Sequence, residues 1–260
     1  MATYPFTSAL LTGASSGIGE AMANLLGDAG IPTVLVARRA DRLKVLADRY
    51  PGFEVLATDL NDADGLAAVE QRVASASSPI DLVVNNAGFG TSGMFHVLDP
   101  ARLADEIGLN IQALTRLSHA ALRTMTPRGR GFLLNVSSVA GFQPAPKLAV
   151  YAATKAYVTH LTESLHEEAR GTGVHVTALC PGLTKTEFQS VSNSEDYAAS
   201  YPDFFWLKAI DVASGGLADV AKGRALSIPG ALYKGMAVAT GITPRGINRQ
   251  LSRLVQRGGK

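Results

Sequence analysis

Short apolar or β-branched runs alternate with longer stretches of helical period along most of the chain, and this alternation constrains the fold more than any other feature. The runs are Ser8–Leu11, Thr33–Ala37, Phe53–Thr58, Ile80–Asn85, Gly131–Ser137, Val174–Cys180 and Met236–Ala239. Between them the spacing predicts helices over Ile18–Ala29, Ala40–Arg49, Gly65–Ala74, Pro100–Met125, Tyr151–Arg170 and Asp211–Lys222. Strands that each return through a helix run parallel, because the crossover carries the chain back to the end of the sheet it left. Runs such as Ile80-Asp81-Leu82-Val83-Val84 are apolar nearly throughout, as strands covered on both faces require. The expected class is α/β: a doubly wound parallel sheet of about seven strands with helices on both faces. A length of 260 residues with 47% hydrophobic content suits one such domain.

The regularity breaks once. From Glu187 to Ile210 the chain turns irregular and gathers Phe188, Tyr197, Tyr201, Phe204, Phe205 and Trp206, out of 9 Phe, 7 Tyr and 1 Trp in the whole chain. Long excursions from a compact sheet are usually binding loops, so residues 187–230 are expected to form a substrate-binding lid; an aromatic mini-core is the plainer alternative. Residues 241–260 form a basic tail, with Arg245, Arg249, Arg253 and Arg257 at four-residue spacing. That pattern suits a solvated face, or else contact with anionic lipid or a partner subunit.

A net charge of +2 gives no bulk field for a polyanion such as nucleic acid. The lone Cys180 excludes an internal disulfide, and the five histidines lack metal-ligand spacing, so no metal is expected. The N-terminal residues do not read as a signal peptide, and no apolar run reaches the ~18 residues of a membrane span. These features point to a cytoplasmic protein without integral membrane contact.

The first strand leads into Thr12-Gly13-Ala14-Ser15-Ser16-Gly17-Ile18-Gly19, and a helical pattern follows at once. Glycines between strand and helix let the backbone turn tightly and approach a pyrophosphate, to which the helix N-terminus offers free N–H groups and its positive end. The spacing is GxxxGxG, not the GxGxxG of the general dinucleotide fingerprint.

The segment Thr12–Gly19 resembles the cofactor loop of the short-chain dehydrogenase/reductase family, and further motifs follow in order. Asp59-Leu60 resembles the pair that holds the adenine ring, and Asn86-Ala87-Gly88 the turn after the fourth strand. Asn110, Ser138, Tyr151 and Lys155 match the catalytic tetrad, and Pro181-Gly182 the turn flanking the nicotinamide. The resemblance covers residues 8 to 190 and implies a single Rossmann-type domain. Its implied cofactor contacts are Gly13, Ser15, Ser16, Gly17, Ile18, Gly19, Asp59, Leu60, Asn86, Ala87, Gly88, Tyr151, Lys155, Pro181, Gly182, Thr184 and Thr186, with Thr186 favoured over Thr184 as ligand of the carboxamide.

The second strand ends in Val36-Ala37-Arg38-Arg39. An NAD site usually places an acid near this point, where it accepts from the ribose hydroxyls and repels a 2′-phosphate. Ala37 stands there instead and arginines follow, whose planar forks suit phosphate. NADP(H) is the expected cofactor, with Arg38 as main ligand of the 2′-phosphate and Arg39 or Ser15 assisting; solvated arginines before a helix are the alternative.

Tyr151 and Lys155 lie at i and i+4, hence on one helix face. A nearby ammonium is expected to lower the phenol toward a useful range. Ser138 can donate to the substrate oxygen, whereas strand alternation points Ser137 elsewhere. By resemblance Asn110 interrupts a helix to hold a water that relays protons. The expected activity is hydride transfer between NADPH and a carbonyl or alcohol carbon of an apolar small molecule. The expected pocket neighbours are Phe89, Met94, Phe95, Phe142, Phe188 and the aromatic segment to Trp206. Alternatives are a non-catalytic NADPH sensor or scaffold, a carrier-protein-linked 3-oxoacyl reductase and a mainly oxidative alcohol dehydrogenase. The helices Pro100–Met125 and Tyr151–Arg170 resemble the family's dimer pair, so a homodimer or homotetramer is expected.

Overall fold

The computed structural model describes residues 4–194 and 201–244, with 246, 247 and 249. Six strands follow the sequence alternation closely: β1 (Ala9–Thr12), β2 (Thr33–Ala37), β3 (Phe53–Ala57), β4 (Leu82–Asn85), β5 (Gly131–Val136) and β6 (Val174–Leu179). The helices between them are α1 (Gly17–Asp28), α2 (Ala40–Arg49), α3 (Ala63–Val73), α4 (Pro100–Ile107), α5 (Leu114–Arg128) and α6 (Ala149–Glu168). After β6 come a short strand β7 (Thr184–Lys185), a single turn α7 (Phe188–Val191), the strand β8 (Leu207–Lys208) that pairs with β7, α8 (Ala209–Ala221), β9 (Leu226–Ser227) and α9 (Ala231–Ile242). The main sheet is parallel throughout, in the order β3-β2-β1-β4-β5-β6-β9.

Two sequence expectations are corrected. The seventh strand is the two-residue β9; Met236–Ala239 lies inside α9. A short apolar run cannot by itself separate strand from helix, and the cavity-facing side chains of this segment later prove to have helical period. The stretch Pro100–Met125 is also not one α-helix, because a π-helical turn, Gly108–Ala113, separates α4 from α5. Of the basic tail, Arg245, Arg253 and Arg257 lie outside the described residues.

The alternation of strand side chains splits the core into two halves. Leu11, Leu35, Val84 and Leu134 face α1 and α8, packing on Met22, Leu26, Val212 and Leu217. Their neighbours Leu10, Val34, Val83 and Leu133 face α3 and α5, packing on Leu66, Val69, Leu117 and Met125. Helix starts follow local chemistry: Asp62 accepts from Gly65 N–H at 2.8 Å to cap α3, and Asp99 accepts from Ala101 N–H at 3.0 Å ahead of Pro100 in α4. Such caps contribute about 1 kcal/mol each. Because the strands are parallel, their C-terminal ends Thr12, Ala37, Ala57, Asn85, Val136 and Leu179 share one edge, and the loops leaving that edge build the site.

Candidate active site

Along this edge runs a cavity of about 500 Å³, from the Gly13–Ile18 loop past Asp59 and Leu60 to Ser138, Tyr151 and Lys155, and on to Pro181–Thr186. Its floor at the first strand is tightly bolted. The Thr12 hydroxyl accepts from the backbone N–H groups of Asn86 and Ala87, at 2.9 and 3.0 Å. Asn86 Nδ2 in turn donates to the carbonyls of Thr12 and Gly13, at 2.9 and 3.2 Å. Thr12 is thus a structural member of the site, and the turn Asn86-Ala87-Gly88 is held against the glycine loop. Gly19 closes the same corner, since a Cβ there would collide with the carbonyl oxygen of Gly13. The N-cap Ser16 of α1 makes no side-chain cap bond. The helix start therefore offers uncapped N–H groups toward the loop, a setting that suits a pyrophosphate.

At the end of β2 the arginines divide differently from the sequence expectation. Arg39 leads: its Nη2 and Nε donate to Ser15 Oγ at 3.0 and 3.1 Å. Arg42, one turn into α2 and absent from the sequence reading, donates to the Ser15 carbonyl at 3.4 Å. Both also grip Glu187, at 2.9 and 2.7 Å. Arg38 also borders the cavity but pairs there with Asp59 at 3.6 Å and not with Ser15. Consecutive residues leaving a strand project to opposite sides, so only one of the pair can turn toward Ser15. Leu60, beside Asp59, is buried on the cavity wall.

The catalytic candidates converge at the other end. Ser138 lies two residues past β5; its Oγ accepts from Ala140 N–H at 3.1 Å and lies 3.5 Å from the Pro181 carbonyl. Ser137 turns inward, donating to the Lys155 carbonyl at 2.7 Å and pairing with the Thr159 hydroxyl at 2.7 Å. Lys155 Nζ donates to the Val136 carbonyl at 2.8 Å and lies 5.8 Å from the Tyr151 ring centroid. Asn110, within the π-turn, accepts from Phe89 N–H at 3.1 Å and donates to the Phe89 carbonyl at 2.8 Å and to Thr154 Oγ1 at 3.1 Å. Gly88 keeps Asn110 and Lys155 in reach of each other: a Cβ there would stand 2.8 Å from Asn110 Oδ1 and 3.4 Å from Lys155 Nζ. π-Turns inside helices cluster at functional sites, where they re-aim side chains.

Burial dominates the protonation of the pair. It pushes the Tyr151 phenol up to about 12, against an opposing pull from the Ser138 hydroxyl and with a further push from Glu106 and Cys180. It lowers the Lys155 ammonium to about 8. The expectation that Lys155 brings the phenol down is therefore corrected: its ammonium is turned to the Val136 carbonyl, and burial is the main influence on the phenol.

Phe89, Phe142, Phe188, Tyr201 and Phe205 line the cavity; Phe188 packs against Tyr151 at 5.3 Å between ring centroids, the rings tilted by 51°. Met94 and Phe95, expected at the pocket, are exposed and outside it, and Trp206 donates from its indole to the Tyr201 carbonyl at 3.4 Å instead of lining it. Tyr197 lies outside the described residues. Tyr233, Met236, Ala237 and Thr240 of α9 complete the wall. Sequence reasoning missed them, although their i, i+3, i+4, i+7 spacing was the available signal. Thr184 is buried, donating to the Gly182 carbonyl at 3.0 Å, whereas Thr186 Oγ1 accepts from Phe188 N–H at 3.2 Å beside Gly17. Both threonines and the Pro181-Gly182 turn border the cavity. Among the described residues no helix is long and apolar enough to cross a membrane.

A family model for short chain dehydrogenases matches residues 7–196. Sulfoacetaldehyde reductase 2 of Chromohalobacter salexigens is 37% identical over 212 residues, covering 78% of this chain and 84% of that protein. A short-chain dehydrogenase from Sphingobium yanoikuyae, solved in complex with NADPH, superposes with a TM-score of 0.81 at 32% identity over 89% of this chain and 92% of the other. The bulky-bulky ketone specific alcohol dehydrogenase from Comamonas testosteroni gives 0.76 at 29% identity, over 92% and 95%.

Proposed function

The chain belongs to the short-chain dehydrogenase family and is an NAD(P)-dependent oxidoreductase of carbonyl and alcohol groups, and on that premise we propose that it reduces apolar or aromatic carbonyl compounds with NADPH. The observation that carries the reading is the cavity itself. Its one end holds Ser138, Tyr151 and Lys155, its other end Ser15, Arg38 and Arg39, with Arg42 reaching the Ser15 carbonyl, and its open wall is aromatic. NADP(H) fits these residues. Gly13, Ser15, Ser16, Gly17, Ile18 and Gly19 would hold the pyrophosphate, and Arg39 with Arg42 and Ser15 the 2′-phosphate. Arg38, Asp59 and Leu60 would flank the adenosine; Asn86, Ala87, Gly88, Pro181, Gly182, Thr184 and Thr186 would hold the nicotinamide half. The cofactor supplies the hydride.

The protein's own part is positioning and proton transfer. Tyr151, protonated through the neutral range, gives its phenolic proton to the substrate oxygen. Ser138 donates a hydrogen bond to the same oxygen and steadies the charge that builds there. Lys155 orients the cofactor and supports the phenolate left behind; Asn110, anchored on Phe89 and Thr154, keeps the floor beneath it fixed and holds the relay water. The described residues of the excursion ahead of α8, 187–194 and 201–208, would act as the lid. The rest of the expected lid is corrected, since α8 packs in the core and β9 belongs to the main sheet. At the substrate end the wall carries Phe142, Phe188, Phe205 and Met236 and, among the described residues, no lysine or arginine besides the catalytic Lys155, which favours an apolar substrate over an acidic one.

The test is NADPH and NADH oxidation against a panel of apolar ketones, aldehydes and diketones, with sulfoacetaldehyde as the acidic comparison. Faster turnover with NADPH and with apolar carbonyls is the expected result. Preference for NADH would overturn the arginine assignment, and preference for the sulfonate the substrate class.

A further inference from the structure

Glu187 and Phe188, adjacent in the chain, touch opposite ends of the cavity. The Glu187 carboxylate lies on the cavity wall with Ser15 and Arg39, and each of its oxygens is taken by a different arginine. Oε2 accepts from Arg39 Nη1 at 2.9 Å, and Oε1 accepts from Arg42 Nη1 at 2.7 Å. Arg39 meanwhile reaches Ser15 through its other nitrogens, Nε and Nη2. Donors that suit a phosphate on both guanidinium groups are thus held by a carboxylate of this chain. Glu187 returns one negative charge to two arginines, whereas a phosphate monoester carries about −1.5 to −2. The pairs are also open to exchange: the three side chains are between 40% and 43% exposed, and ion pairs in such a setting contribute little net stability.

The backbone carries this contact into the lid. Glu187 stands immediately ahead of α7, and its carbonyl accepts from Val191 N–H at 3.1 Å across that single turn. The next residue, Phe188, lays its ring against that of Tyr151. The far end of α7 is fastened elsewhere: Ser192 Oγ accepts from Gly90 N–H at 3.0 Å, and the Ser192 carbonyl accepts from Ser92 N–H at 3.0 Å. The turn that covers Tyr151 is therefore tied at one end to the loop after β4 and at the other to Arg39 and Arg42. Of the two fastenings, only the one at Glu187 uses groups that a cofactor phosphate can claim.

We propose that Glu187 is a cofactor-specificity residue: it holds Arg39 and Arg42 in place of the 2′-phosphate, and yielding them to that phosphate frees α7, so that Phe188 leaves Tyr151 and admits the substrate. The inference rests on the reading of Arg39 and Arg42 as ligands of the 2′-phosphate, and its test separates the two. Calorimetry compares adenosine 2′,5′-bisphosphate, which carries that phosphate without the nicotinamide, with 5′-AMP, which lacks it. Glu187→Gln should bind the bisphosphate about three- to tenfold more tightly than wild type, and 5′-AMP within a factor of about two. Hydrogen exchange followed by mass spectrometry reads the lid. The bisphosphate should speed exchange over residues 187–194 in wild type, 5′-AMP should not, and Glu187→Gln should exchange fast there without ligand. A wild type that prefers the bisphosphate, with a Glu187→Gln that binds it no more tightly, overturns the role of Glu187 and leaves the cofactor reading standing. Indifference to the 2′-phosphate in both proteins overturns the cofactor reading and the role of Glu187 with it. Tighter binding with unchanged exchange over 187–194 overturns the link to the lid. Should Glu187→Gln fail to fold, Glu187→Ala decides by the same criteria.

Discussion

Tyr151 and Lys155 share a helix face, yet burial moves their protons in opposite directions, up to about 12 for the phenol and down to about 8 for the ammonium. Carbonyl reduction needs both groups protonated. The rate should therefore hold below pH 8 and fall as pH rises through about 8, where Lys155 loses its charge; a pH profile of NADPH oxidation checks this. Lys155→Arg should push the fall to higher pH, because guanidinium stays charged there. At the other end of the cavity the prediction concerns cofactor choice. Arg39→Ala should weaken NADPH binding about tenfold and NADH binding far less, since charge-assisted hydrogen bonds at a half-exposed site contribute roughly 1.5 kcal/mol. Arg38→Ala should discriminate less between the cofactors, because that side chain leans on Asp59. Fluorescence titration with both cofactors reads the difference. The pair Arg38-Arg39 was legible in the sequence, and which of them turns to Ser15 was not. That depends on how the chain leaves β2 and on Glu187, 148 residues away from Arg39.

Among the elements, α9 and the β7–β8 pair decide how the pocket closes. Tyr233 of α9 accepts from Leu183 N–H at 3.0 Å and donates to the Phe205 carbonyl at 2.7 Å, tying the aromatic segment to the turn after Pro181. Tyr233→Phe removes both bonds and should cost about 1–2 kcal/mol of lid order. Steady-state kinetics should show it as a raised KM for the carbonyl substrate, with NADPH affinity unchanged. The sequence made Met236–Ala239 a strand because its apolar run is short and carries no helix cap. The side chains on the cavity, Tyr233, Met236, Ala237 and Thr240, have the helical spacing that settles the matter. The two-residue β9 offers no such pattern, since its partner Ala178–Leu179 defines it and not its own residues. The π-turn at Gly108–Ala113 likewise left only the resemblance at Asn110 as a trace.

Across the whole molecule, the strand–helix alternation was enough to read the parallel sheet, and the glycine loop with Tyr151 and Lys155 was enough to read the active edge. What escaped depends on contacts between distant segments: Arg42 with Glu187, and Thr12 beneath Asn86. We extend the functional proposal to assembly through the outer faces of α4, α5 and α6, where Ile107 and Tyr157 stand exposed. Light scattering should then give two or four times the 27.2 kDa of the chain, and a monomer would contradict it. The central claim is that Tyr151 carries the proton in an NADPH-dependent carbonyl reduction, and the most direct measurement compares wild-type and Tyr151→Phe protein with one good substrate. Loss of the phenolic proton should lower kcat roughly 10²–10⁴-fold while NADPH binding stays within a factor of about two. Turnover by Tyr151→Phe near the wild-type rate would contradict the account.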